Sequence, residues 1–136
     1  MFRPALALFL IAVFPAFAQS PREAVMAELT AAAKAENPSF AGFSAERGQA
    51  LYMNPQTGGK PETPSCASCH SEKPSAEGRN VRTGKPIPPM AVSANAKRFT
   101  DREETEKWFG RNCKEVLGRN CTSQEKGDFV TWLAGR

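Results

Sequence analysis

Five consecutive residues, Cys66-Ala67-Ser68-Cys69-His70, hold two thiols three positions apart and an imidazole beside the second. The C-x-x-C-H spacing is the attachment site of a c-type haem. Each thiol adds across a vinyl group of the porphyrin, and the histidine is then held beneath the iron as its proximal ligand. Other chemistries use some of the same residues. A redox dithiol of the thioredoxin kind needs a strand–helix setting, and none is visible around Cys66. A structural zinc site usually takes two close-spaced pairs, whereas Cys113 and Cys121 stand eight apart. The motif therefore predicts one covalent haem c on Cys66 and Cys69, with His70 on its iron.

The opposite axial position is less constrained. The chain has one histidine, so a second imidazole from the same chain is excluded, and methionine, asparagine, lysine or an open position remain. A methionine sulfur raises the haem potential and suits electron transfer. Met26 and Met53 fall on helical segments and read as packing residues. Met90, in Ile87-Pro88-Pro89-Met90, is the candidate methionine, although 20 residues after His70 is a short span for reaching the other face of the ring. The stretch from Gly110 to Cys121, expected as the loop before the last helix, contains neither Met nor His. It contains Gly110-Arg111-Asn112-Cys113 and Gly118-Arg119-Asn120-Cys121. In an exported chain these two remaining cysteines should pair and pin the loop. The amide oxygen of Asn112 or of Asn120 could then be held over the iron. The pattern alone does not separate the two, and either reads equally as an ordinary turn residue.

Four helices are expected to position these groups. Ser20-Pro21-Arg22-Glu23 is a capping box with proline at the first helical position, opening a helix that runs to about Glu36 before Asn37-Pro38. Ser44 caps a second helix that stops at Asn54-Pro55. Thr100-Asp101-Arg102-Glu103 opens a third, ending near Gly110. Thr122-Ser123-Gln124-Glu125 opens the last, with Phe129, Trp132 and Leu133 on one face. Gly48 and Tyr52 are expected to meet Trp132 and Leu133. Between the second and third helices, about Asn54 to Phe99 is rich in Pro, Gly, Ser and Thr, with no visible strand pattern. So long an irregular stretch is uncommon in a packed domain and makes sense if it wraps a non-protein body.

Composition agrees. The chain has 136 residues and a net charge of +4, too weak for a nucleic-acid protein. Residues 1–18 combine Arg3, the apolar run Leu6–Val13 and the small-x-small end Ala16-Phe17-Ala18, which reads as a signal peptide cleaved near Ala18, followed by a periplasmic chain. Removing 18 residues from 136 leaves 118, with few large apolar side chains, so the core needs the area of a bound group.

These residues also carry a resemblance. Thr57-Gly58-Gly59-Lys60-Pro61-Glu62-Thr63-Pro64-Ser65 leading into the haem motif is followed by Arg82-Thr83-Gly84-Lys85 and Arg98-Phe99-Thr100-Asp101. Then come Glu106-Lys107-Trp108-Phe109-Gly110-Arg111-Asn112-Cys113 and Cys121-Thr122. Together they resemble the sphaeroides haem protein family of bacterial c-type cytochromes, from about Ser44 to the C-terminus. The resemblance implies an all-α, class I cytochrome c fold wrapped around one covalent haem. With the leader read at 1–18, the resemblance leaves a loosely matched helical extension at 19–43 and a cytochrome domain at 44–136. It assigns the proximal ligand to His70, the distal ligand to Asn112 rather than Asn120, and a disulfide to Cys113 and Cys121. It further implies a site that opens on reduction to bind O2 or NO, and redox partners that include a dihaem cytochrome c and a membrane cytochrome b, with the chain itself a monomer. An oxygen- or nitric-oxide-reacting enzyme, or an ordinary His/Met electron carrier using Met90, is the alternative. Trp108 and Phe109 are expected to pack near the distal side. Arg82, Lys85 and Arg98 are expected either to face the haem propionates or to lie on the surface.

Overall fold

The computed structural model describes residues 18–136. The leader reading of residues 1–18 therefore falls, but for Ala18, outside the described residues. The elements are α1 (Pro21–Glu36), α2 (Ala45–Met53), α3 (Ala67–His70), β1 (Gly78–Arg79), β2 (Pro86–Ile87), α4 (Arg102–Leu117) and α5 (Ser123–Ala134). Local chemistry sets most of the boundaries. Ser20 accepts a hydrogen bond from the Glu23 amide while the Glu23 carboxylate accepts from the Ser20 amide at 2.7 Å. Thr122 and Glu125 repeat that box at α5, and Ser44 caps α2. Such reciprocal caps satisfy amides that a helix start would leave unpaired.

The third helix departs from expectation. It starts one residue later, capped by Asp101, whose carboxylate accepts from the Glu104 amide at 2.7 Å. It does not end near Gly110 but continues to Leu117. Gly118 stops it in the left-handed conformation at φ 71°. Gly110 costs a helix only about 1 kcal/mol against alanine, and the buried Cys113, Val116 and Leu117 beyond it outweigh that. The long irregular segment also holds more order than its composition suggests: α3 is a single turn, and Gly78 and Arg79 pair antiparallel with Ile87 and Pro86.

α5 is the centre of the core, with α1 and α2 packed against it. Val25, Leu29 and Ala33 of α1 are buried, and Tyr52, Val130 and Leu133 are completely so. At the α2–α5 crossing a side chain on Gly48 would fall on the Asp128 carbonyl; only glycine permits this approach. The Asp128 carboxylate then accepts from the Ser44 amide at 2.6 Å and from Arg47 Nε and Nη2 at 2.7 and 2.9 Å. Gly48 thus meets Asp128 and Phe129 rather than Trp132 and Leu133, one turn further along. Tyr52 meets Trp132, ring centroids 4.9 Å apart, and Phe129 at 5.8 Å. Phe109 of α4 reaches the same cluster, 5.4 Å from Phe129.

Candidate haem site

α3 gathers three of the candidate residues into one turn. The His70 amide donates to the Cys66 carbonyl at 3.0 Å, and Ser65 and Ser68 join just ahead, the Ser65 amide donating to Ser68 Oγ at 3.1 Å. A C-x-x-C-H run coiled this way directs Cys66, Cys69 and His70 from adjacent positions on one turn. Two further contacts hold it. The Tyr52 hydroxyl donates to the carbonyl oxygens of His70 and Ser71, at 2.9 and 2.7 Å. Gly78 of β1 lies so close that a Cβ there would fall on the Cys69 carbonyl. Sequence reasoning placed Tyr52 in the core but gave neither residue a part in the site. No spacing rule links a tyrosine 18 positions upstream, or a glycine eight downstream, to the motif.

The electrostatics suit the residue types. Both Cys66 and Cys69 are free thiols. Burial pushes the Cys66 thiol up to about 12. Burial, then the nearby Arg98 guanidinium, pushes the His70 imidazole down to about 4. A neutral imidazole is the form that offers a lone pair to a metal. His70 Nδ1 is buried with no hydrogen-bond partner, a condition rare for a buried polar atom. Two unpaired thiols and a neutral, incompletely partnered imidazole fit a covalently bound haem. Among the described residues no group of three or more His, Cys, Asp and Glu is arranged to hold a metal ion.

Asn112 stands elsewhere, on α4 rather than in the loop expected for it. It is half-buried, whereas Asn120 is exposed, so the structure separates two residues that the pattern left equivalent. Its neighbour Cys113 is joined to Cys121, Cα atoms 5.6 Å apart, which ties the end of α4 to the start of α5. Gly58 and Gly59 lie against the backbone carbonyls of this end of α4, and the Lys60 amide donates to the Glu115 carbonyl at 2.8 Å.

Met90 is buried in the apolar core cluster, with its amide bonded to the Pro74 carbonyl at 2.9 Å. Phe109 is buried as expected, but Trp108 is 41% exposed, because one residue along a helix turns a side chain by about 100° and Phe109 takes the core-facing position. The three basic candidates do different things. Arg98 is partly buried and donates to the Pro89 and Pro88 carbonyls at 2.9 and 2.6 Å. Arg82 faces Glu115 at 3.6 Å, and Lys85 is exposed.

Residues 38–133 match the family model described as a domain of unknown function, DUF1924. The cytochrome c-type protein SHP of Cereibacter sphaeroides is 54% identical over 92 residues, covering 68% of this chain and 70% of that protein. The chain belongs to the sphaeroides haem protein family of c-type cytochromes. The solved structure of oxidized SHP, described as an oxygen binding cytochrome c, superposes with a TM-score of 0.77 at 46% identity. It covers 88% of this chain and all of that one. Cytochrome c'' of Methylophilus methylotrophus is 36% identical over 116 residues, 82% of this chain and 77% of that protein. Its oxidized crystal structure gives a TM-score of 0.72 at 34% identity, over 84% of this chain and 93% of that one. The fold is that of a cytochrome c, mostly helical as expected, and a sphaeroides haem protein carries one covalently bound haem c.

Proposed function

We propose that the chain is an exported mono-haem cytochrome that carries electrons and whose distal site opens on reduction to accept O2 or NO. Cys66 and Cys69 form the two thioethers, His70 is the proximal ligand and Asn112 the distal one. The observation that carries this reading is the combination of a C-x-x-C-H turn with free thiols and a half-buried asparagine next to the Cys113–Cys121 link. The oxygen binding attributed to the related SHP supports the ligand class.

A haem held by these residues would supply one-electron redox chemistry and a site for a diatomic ligand. Tyr52 fixes the turn of His70, so His70 would be held toward the iron whichever its oxidation state. The amide oxygen of Asn112 is a hard, weak donor that would match ferric better than ferrous iron, so it would be the ligand released on reduction. The Cys113–Cys121 link lets it move a short way without unfolding α4. Residues 1–18 serve as the export leader, in keeping with the export typical of related cytochromes. Residues 19–43 form a helical extension docked on the cytochrome domain at 44–136. A dihaem cytochrome c and a membrane cytochrome b exchange electrons with a monomer of this chain in the periplasm.

The test is Asn112→Ala, read by the ferric absorption spectrum and by carbon monoxide binding to the ferrous form. The expected result is a shift of ferric iron to high spin, with fast ferrous binding in both proteins. An unchanged low-spin ferric spectrum would remove Asn112 from the site. A near-infrared sulfur-to-iron band in the oxidized protein would then assign Met90 and an ordinary His/Met carrier.

A further inference from the structure

Lys60, Arg82, Gly110, Arg111, Lys114 and Glu115 line a surface cleft over the second half of α4. Four cations face one carboxylate, a local charge of +3. That carboxylate does not satisfy them. Glu115 lies 3.8 Å from Lys60 and 3.6 Å from Arg82, beyond good hydrogen-bond distance. Arg111 reaches only the Trp108 ring, at 5.8 Å. Gly110 leaves the floor open, with nothing within 4 Å of where a side chain would begin. The Glu115 side chain is only 19% exposed while Lys60 and Arg82 are each near half, so the carboxylate sits below the cations and leaves their outer donors pointing to solvent. The backbone contacts of Gly58, Gly59 and Lys60 with the end of α4 hold the two walls at fixed separation.

We propose that this cleft binds an oxyanion of tetrahedral or carboxylate chemistry. Several cationic donors converging on one small anion make charge-assisted hydrogen bonds stronger than neutral ones. Two guanidinium groups in the set supply paired N–H donors suited to such oxygens. The anion is a free one from solution, not a carboxylate of the protein's own haem. The proposal does not depend on Asn112 being an iron ligand.

The experiment titrates inorganic phosphate into the ferrous holoprotein at ionic strength held constant with sodium chloride, following backbone amide resonances. The expected result is saturable shifts confined to Gly110, Arg111, Lys114 and Lys60. Affinity should weaken at least tenfold in R111Q/K114Q and tighten several-fold in E115Q, which removes the competing carboxylate. Substitution of the remote Lys34 by Gln should leave binding unchanged. If the haem carboxylates already occupy the cations, phosphate does not saturate, and that outcome overturns the proposal. Absence of saturable binding overturns the proposal, as does equal binding by the parent and R111Q/K114Q.

Discussion

The hydroxyl of Tyr52 donates to the backbone carbonyl oxygen of His70 at 2.9 Å and shares its proton with that of Ser71 at 2.7 Å. The ring is wedged between Phe129 and Trp132 and is completely buried. Through it, α5 grips the turn that carries the proposed proximal ligand. Tyr52→Phe keeps the ring and removes the donor, leaving two carbonyls unpaired by it. The expected cost is about 1–3 kcal/mol, seen as a lower urea midpoint with an unchanged slope and unchanged haem content. A midpoint equal to that of the parent would show that the two carbonyls find other partners.

That contact also marks what could be seen in the sequence. Ser20, Ser44 and Thr122 announced their helices because a cap acts over three or four residues, and the haem motif was legible because its chemistry is local. The grip of Tyr52 on His70 and the approach of Gly78 to Cys69 depend on segments far apart in the chain meeting, so no local pattern encodes them. The end of α4 differs from the expected one for another reason. Gly110 and Gly118 carry the same local signal, and only the burial of Cys113, Val116 and Leu117 decides between them. Placing Asn112 on that longer helix, and leaving Asn120 exposed, follows from the same tertiary fact.

The Cys113–Cys121 link closes a short loop between α4 and α5, with a sequence separation of 8. Chain entropy for so small a loop gives about 2–3 kcal/mol of stabilisation. Replacing both cysteines by serine should lower the unfolding free energy by about that amount, measured by urea denaturation of the ferric protein. If the link also positions Asn112, the ferric spectrum of the double variant gains a high-spin component absent from the parent. Unchanged stability would mean that the packing of Val116 and Leu117 holds this corner without the covalent tie.

Glu36, at the last turn of α1, receives hydrogen bonds from the amide and hydroxyl of Ser123, at 2.9 and 2.5 Å. Those donors, the hydroxyl first, hold its carboxyl below the usual carboxylate range of about 4.5. Because the folded value is depressed, the unfolded chain binds the proton more readily than the folded one. The contribution is therefore complete above the ordinary carboxylate value and is lost as pH falls through the folded value. Glu36→Gln removes the charge while keeping an acceptor for Ser123. The variant should unfold at lower urea than the parent at pH 7, with the gap closing steadily as pH drops below about 4.5. Comparing the two proteins at each pH cancels the titration of groups that do not interact with Glu36, leaving its own and that of its charged neighbours Lys126 and Glu125. A gap that stays constant from pH 7 to pH 3 would show that the contact stabilises through packing rather than through charge.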